Sequence, residues 1–331
     1  MRPELRSLVR ELRQAGLTTG AIDAAWPEWW SEDAENSPSA CAELRYTLAR
    51  RLGVSPASLF DGPPRFVWRD RAKYKNLGTS SNEEVGILTS FGVAVGQQVL
   101  VAAPPLVEFP GSAAGIRMAI LASASVVGLD ELLAFCWAVG LPVVQLRLFP
   151  LRRKRMHAMT ARVRGRFVIL LGMESRFSAQ AAYILAHEIG HIVLQHASGL
   201  AAVIDVDDPL RMKDEDDEEL TANRFALELL TGDPEPRVQS DAAQFSASQL
   251  ARAALDAAAA ARIDPGVLAL CLAHATTRWQ QGFGALKMIP PGSIDVGGTV
   301  NALARHELAW SSLPLEAQDY LLKVMGEPIA T

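Results

Sequence analysis

The sequence has few histidines and few cysteines, which limits both imidazole ligands and covalent cross-links. It contains 6 histidines and 3 cysteines among 331 residues. Cys41, Cys136 and Cys271 lie far apart and form no C-x-x-C pair, so no disulfide framework is indicated. A secretory signal is not visible either, because six charged side chains interrupt residues 1–20. These absences predict a reduced, cytoplasmic protein.

The sequence also lacks an excess of basic charge. It has 32 Lys and Arg against 37 Asp and Glu, a formal net charge of −5, so no global charge attracts nucleic acid. Residues 85–107 contain no charged side chain, as a membrane span would require. Thr89, Gln97, several glycines and a Pro104–Pro105 pair interrupt this segment. We therefore predict a buried helix here and no membrane partner.

Against this background, residues 187–191 stand out because they read His-Glu-Ile-Gly-His and follow an apolar run. Positions four apart share one face of a helix, so His187 and His191 can bind one metal ion. Glu188 then lies beside the metal, where it can transfer a proton. The motif predicts a zinc-dependent hydrolase. His196, five residues past His191, would point to another face, and we interpret it as a packing or supporting residue.

A catalytic zinc site takes three protein ligands and leaves one position open. The acidic run 214–219 leads into a helix with an apolar stripe, formed by Ala222, Phe225, Ala226, Leu229 and Leu230. Most of these carboxylates are typical of a solvated helix N-terminus. Glu219, however, falls on the stripe, and a buried carboxylate needs a cation. We predict Glu219 as the third ligand, with Glu218 and Glu215 as alternatives.

Together, the two motifs resemble those of the ImmA/IrrE family of metallopeptidases. The resemblance covers residues 181–231 and includes Glu219-x-x-Ala-Asn223. It is also similar to the thermolysin-like pattern, in which an Asp or Asn four residues after the glutamate ligand supports the site. The resemblance implies that His187, His191 and Glu219 hold zinc and that Glu188 is the general base. Asn223 would accept a hydrogen bond from one of the two histidines. Manganese or iron also accept such ligands, but zinc is our prediction.

The same resemblance carries an expectation about the substrate. Many members of the family cleave a DNA-binding repressor and so activate stress, mobile-element or defence genes. The implied partner is a protein substrate such as an XRE-family repressor. Our main hypothesis is therefore a zinc-dependent endopeptidase of narrow specificity. The alternative is a transcription regulator or adaptor with a non-proteolytic zinc site, which would have no need of Glu188.

Three apolar segments, residues 141–149, 156–163 and 166–171, have the character of strands. We predict an α+β, mainly helical fold with a zincin-like core, in which a small sheet packs on the motif helix. Residues 157–161 are the expected peptide-binding edge. Tyr183 and His157 are interpreted as core residues rather than oxyanion donors. We interpret the basic cluster within residues 152–166 as a solvated hairpin, in preference to a contact for an acidic partner or nucleic acid.

The flanking parts suggest four regions. Residues 1–62 form a helical module, and residues 48–60 resemble the last part of an XRE-type helix-turn-helix domain. Trp26, Trp29 and Trp30 stand where a polar recognition helix is expected, so we favour protein contact over direct DNA binding. A linker is predicted at residues 63–84, the metallopeptidase domain at 85–235 and a helical region at 236–331.

Overall fold

Helices make up most of the molecule, and one small sheet lies among them. The computed structural model describes residues 3–68, 72–75, 82–152, 156–196, 202–205, 217–238 and 244–326. The architecture is α+β and mainly helical, as the sequence predicts. The elements in chain order are α1 (Pro3–Gln14), α2 (Thr19–Ala25), α3 (Pro38–Leu52), β1 (Ala72–Lys75), α4 (Asn82–Ala102), α5 (Ala113–Leu121), α6 (Leu129–Ala138), β2 (Val143–Gln145), β3 (Ala158–Val163), β4 (Arg166–Leu171), α7 (Ser178–Val193), β5 (Ala202–Asp205), α8 (Asp217–Thr231), α9 (Ala247–Ala261), α10 (Pro265–Thr276), α11 (Trp279–Leu286), α12 (Val296–Glu307) and α13 (Leu315–Met325).

The sheet has the strand order β1-β5-β3-β4-β2. Strand β3 runs antiparallel to both of its neighbours, whereas β1 pairs in parallel with β5 and β2 pairs in parallel with β4. A tight turn at Arg164 and Gly165 joins β3 to β4, and both residues have the positive φ that such hairpins need. The predicted strand 166–171 matches β4, while the predicted strand 141–149 is reduced to the three residues of β2.

The prediction that residues 157–161 form an exposed edge is wrong, because β3 lies inside the sheet. Strand β5 occupies its outer side, with Val203 in register with Thr160. The outer side of β2 is covered by the buried Asn301 of α12. Its amide accepts a hydrogen bond from the backbone nitrogen of Gln145 (2.9 Å) and donates one to the backbone oxygen of Gln145 (3.0 Å). Neither β3 nor β2 therefore offers a free edge to a peptide.

Two helices cover the two faces of the sheet. Helix α4 packs on the face that carries Met159 and Val168, where Gly92 and Gly96 leave space that a Cβ atom would fill. Helix α4 is the one described helix long and apolar enough to cross a membrane, but most of it is buried inside the protein. This agrees with the predicted buried helix. The opposite face, with Ala158 and Thr160, packs against α7.

The N-terminal helices share a hydrophobic core with the sheet and with α13 at the other end of the chain. Trp26, Trp29 and Trp30 pack against this core. The buried guanidinium of Arg51 donates to the backbone oxygen of Glu316 (2.6 Å), and the Tyr320 hydroxyl donates to the backbone oxygen of Arg51 (2.6 Å). The predicted module 1–62 therefore packs directly on other regions, and the predicted linker contains β1.

Helix α8, which carries Glu219, is fixed at its C-terminal end by a buried arginine. The guanidinium of Arg117 donates to the backbone oxygens of Leu229 (3.2 Å), Leu230 (2.7 Å) and Arg262 (2.7 Å). Burial lowers the pKa of Arg117, with a smaller contribution from the nearby Arg262 charge. Arg117 thus joins α5, α8 and the end of α9 through carbonyl groups that would otherwise be exposed at helix ends.

We expect Arg117→Met to lower the free energy of unfolding by about 3 kcal/mol, because hydrogen bonds from a charged donor contribute roughly 1.5–3 kcal/mol. Methionine keeps the length of the apolar stem but leaves the carbonyls without their donor. Urea denaturation monitored by circular dichroism measures the loss. The exposed Arg252 of α9, changed to Met, is the matched control. A loss below about 1 kcal/mol would contradict this role for Arg117.

Candidate metal centre

The His-Glu-x-x-His motif lies in the most deeply buried helix of the site. Residues 179–192 of α7 are all buried, and the side chains of His187, Glu188 and His191 have no exposed surface. The motif glycine, Gly190, faces Phe225 of α8, and a Cβ atom at Gly190 would lie 3.1 Å from the phenyl ring. This small residue therefore lets α8 approach α7 closely. That approach brings Glu219, which is 1% exposed, to the motif.

The predicted ligands His187, His191 and Glu219 lie together in the structure. The Nε2 atoms of the two histidines are 2.9 Å apart. Glu219 places Oε2 3.3 Å from His187 Nε2 and Oε1 3.5 Å from His191 Nε2. Ligands at the usual zinc distance of about 2.0–2.1 Å in a tetrahedron are roughly 3.3 Å from one another. The three side chains therefore fit a single metal ion.

Glu218, one of the two alternative ligands, does not join this group. Within the described residues, the cluster able to hold a metal consists of His187, His191 and Glu219. Glu218 is the half-buried neighbour of Glu219 on α8. Glu215 lies outside the described residues. The structure thus brings together His187, His191 and the glutamate that the apolar stripe of α8 favours. This buried His-His-Glu group could hold a metal ion.

Glu188 is positioned by a residue that the sequence reasoning missed. The hydroxyl of Thr160, in the middle of β3, donates a hydrogen bond of 2.6 Å to Glu188 Oε2. Both side chains are fully buried. A hydroxyl donor to a carboxylate is a strong hydrogen bond, and here it fixes one oxygen of Glu188 beneath the sheet. The available sequence signal was a threonine on the inward face of an apolar strand.

Asn223 has a different partner from the predicted one. Its Oδ1 accepts a hydrogen bond of 2.7 Å from the hydroxyl of Tyr183, rather than from His187 or His191. Tyr183 is one turn before His187 on α7, and Asn223 is one turn after Glu219 on α8. The pair therefore joins the two ligand-bearing helices next to the metal centre. The prediction of Tyr183 as a core residue agrees with its 7% exposure.

A supporting contact to a ligand comes from His196. Its Nδ1 lies 2.9 Å from His191 Nδ1, the ring nitrogen opposite the one that faces Glu219. His196 Nε2 in turn lies 3.4 Å from the hydroxyl of Thr221. A partner on the far nitrogen fixes the tautomer and ring orientation of a ligand histidine. Of our two interpretations of His196, a packing residue or a supporting residue, this geometry fits the second.

In the described residues, Arg162 and Arg164 are exposed at the β3–β4 hairpin, as the solvated-hairpin interpretation expects, whereas Arg166 has a different role. The guanidinium of Arg166 donates to the backbone oxygens of Leu100 (3.0 Å) and Pro104, so it fixes the end of α4. The guanidinium of Arg162 lies 5.7 Å from the centre of the Phe167 ring. Residues 153–155 lie outside the described residues. His157 is half-buried at the start of β3, away from the three ligands.

Comparisons of this chain with protein-family models, with curated proteins and with solved structures gave no match.

We expect Thr160→Val to lower the free energy of unfolding by about 2 kcal/mol, since it removes a hydrogen bond to a buried charged group. Valine preserves the shape of the side chain but cannot donate to Glu188. The matched control is Thr89→Val in α4, where an equally buried hydroxyl donates only to the backbone oxygen of Val85 (2.9 Å). Equal losses in the two variants, measured by urea denaturation, would contradict a specific contribution from the Thr160–Glu188 bond.

Proposed function

We propose that this chain is a zinc-dependent endopeptidase with a zincin-like core. The observation that supports the proposal is the placement of Glu188 next to a cluster of two histidines and one glutamate. Three ligands are the usual number at a catalytic zinc, whereas structural zinc sites generally have four. A buried carboxylate that ligates nothing in this cluster has no evident purpose in a structural site. In an enzyme it serves as an acid–base group.

The chain's own residues have separable roles in this proposal. His187, His191 and Glu219 hold the metal, which when bound supplies a Lewis acid able to polarise a carbonyl and acidify a water molecule to a pKa of about 7. Glu188 accepts the proton of the attacking water at one carboxylate oxygen and returns it to the leaving amine. Thr160 fixes the other oxygen of Glu188. His196 orients His191, and the Tyr183–Asn223 pair keeps the two ligand helices in register.

For the substrate we propose a regulatory protein, with an XRE-family repressor as the first to test. This part depends on the resemblance to the ImmA/IrrE motifs. We place the activity in the cytoplasm, and the free state of Cys41, Cys136 and Cys271 is compatible with a reducing compartment. Direct binding of DNA by residues 1–62 is not favoured, because their tryptophans pack against the core.

One observation favours a second candidate, a regulator or adaptor whose metal site is not proteolytic. The four residues of the centre are 0–1% exposed, so the described structure covers the ligands and Glu188 completely. A metal in such an enclosed position would stabilise the fold without meeting a substrate. This candidate requires no contribution from Glu188 to function.

The two candidates are separated by a cleavage assay. The zinc-loaded protein is incubated with a candidate XRE-family repressor from the same source, and products are identified by mass spectrometry. The endopeptidase proposal expects one or a few defined cuts, which a chelator abolishes and added zinc restores. An uncut repressor that nevertheless binds the zinc-loaded protein would support the adaptor.

A further inference from the structure

A cavity of about 450 Å³ lies beside the metal centre, between α7, α8 and α10. Its walls are mainly apolar and include Leu227, Val267 and Leu270. This volume lies within the range of small-molecule sites, which combine apolar walls with a few polar groups. The metal ligands do not line it, and the mechanism above does not use it. The cavity is therefore a separate place where a compound could bind.

The charges at the rim indicate what kind of compound fits. Arg224, Glu235 and Arg237 all line the cavity. Arg224 forms an ion pair with Glu235, so these two charges largely compensate each other. Arg237 is exposed, and no carboxylate pairs with it among the residues that the structure describes. Among the described residues, the rim thus presents one uncompensated arginine over an apolar chamber.

We propose that this cavity binds a small organic acid with an apolar body and a single anionic group. The apolar part fills the chamber between α8 and α10, and the anionic group pairs with Arg237. A charged group at the rim retains contact with water, so the apolar part supplies most of the affinity and the arginine selects the charge.

The position of the cavity also links it to the metal centre, and this second part rests on the proposed function. Tyr183 and Asn223 line the cavity and, through their hydrogen bond, join α7 to α8 one turn from His187 and Glu219. A ligand in the cavity contacts both helices and favours the arrangement in which they are paired. Because coupling between two sites is reciprocal, the ligand and zinc then raise each other's affinity.

The first test uses the fluorescent probe 8-anilino-1-naphthalenesulfonate, which has an apolar body and one anionic group. N-phenyl-1-naphthylamine, the same molecule without the sulfonate, is the neutral counterpart. Ala275→Trp, on the exposed side of α10, fills the cavity and should weaken both probes about tenfold or more. Arg237→Gln should weaken the anionic probe roughly fivefold and leave the neutral one unchanged. Arg252→Gln, at an exposed arginine away from the cavity, should change neither.

Two results would overturn the site. One is equal binding of the anionic probe by the wild type and by Ala275→Trp, which would place the probe elsewhere. The other is unchanged binding of the anionic probe in Arg237→Gln, a surface substitution that leaves the fold intact. Displacement of the probe by decanoate identifies a free acid, and displacement by N-acetyl-Ala-Ala-Leu identifies a peptide carboxyl terminus. If neither compound displaces the probe, the proposed chemistry is contradicted.

The second test measures coupling. Zinc affinity is determined by chelator competition with and without the anionic probe, and probe affinity with and without zinc. Both should rise about fivefold or more, by the same factor. Tyr183→Phe removes the hydroxyl that donates to Asn223 and should reduce that factor to near one while the probe still binds. Unchanged affinities in the wild type would refute the coupling. A protein that binds no zinc would refute it together with the proposed function, but the probe results without zinc would stand.

Discussion

Replacing His187 with alanine is expected to abolish stoichiometric zinc binding. Supporting partners of ligand histidines alone contribute about 10–100-fold to metal affinity, so loss of a ligand should weaken binding by more than about 100-fold. Here the substitution also leaves the buried carboxylate of Glu219 with one histidine in place of two. Elemental analysis after zinc loading and desalting should find about one zinc ion per wild-type chain and almost none in His187→Ala.

Thermal unfolding provides an independent readout of the same site. A metal present at about a thousand times its dissociation constant stabilises the folded state by roughly 4 kcal/mol. Zinc should therefore raise the melting temperature of the wild type, but not that of His187→Ala. His306→Ala is the matched control, because this histidine on α12 is exposed and pairs only with its neighbour Glu307 among the described contacts. Unchanged zinc content in His187→Ala would refute the ligand set.

The metal ligands could be predicted because the information that places them is local. Four-residue spacing on α7 aligns His187 with His191 whatever the rest of the fold does. Glu219 could be selected from an acidic run because a helical wheel puts it on the buried stripe of α8. Only the packing of α7 on α8 had to be assumed. Gly190, which faces Phe225, provides the space for that packing.

The partner of His191 could not be predicted from a helical wheel, because the helix does not continue to it. Helix α7 ends at Val193, and Gln195 takes a left-handed conformation with φ of 60°. This turn returns the chain toward the helix, so the ring of His196 meets His191 instead of pointing to another face. Backbone reversals by residues other than glycine have a weak sequence signal.

The Thr160–Glu188 contact and the loss of the predicted edge both depend on packing between distant segments, which single-strand patterns do not encode. The four residues of β5 follow α7 after eight residues and were not recognised as a strand. Without β5, the strand β3 would form an edge, as predicted. With β5 in place, Thr160 lies in the interior of the sheet and its hydroxyl meets the motif glutamate. Non-local pairing thus decides the missing peptide-binding edge. The surroundings of Glu188 are decided by the packing of α7 on the face of β3 that carries Thr160.

Replacing Glu188 with glutamine is expected to lower the rate of peptide hydrolysis about 10³-fold, since a positioned general base contributes roughly 10²–10⁴-fold. Glutamine has nearly the same shape, and its carbonyl oxygen can still accept the hydrogen bond from Thr160. It cannot accept the proton of a water molecule. Zinc content should therefore remain that of the wild type and the chain should remain folded, so the loss would be chemical and not structural.

The measurement is the initial rate of repressor cleavage by the zinc-loaded variant, with elemental analysis of the same sample. Glu108→Gln is the matched control, because Glu108 is exposed and lies outside the metal centre. Cleavage by Glu188→Gln within about tenfold of the wild-type rate would exclude Glu188 as the general base. Retention of repressor binding and of every cellular effect by Glu188→Gln would identify the buried centre as a structural metal site, because only an enzyme depends on that one proton acceptor.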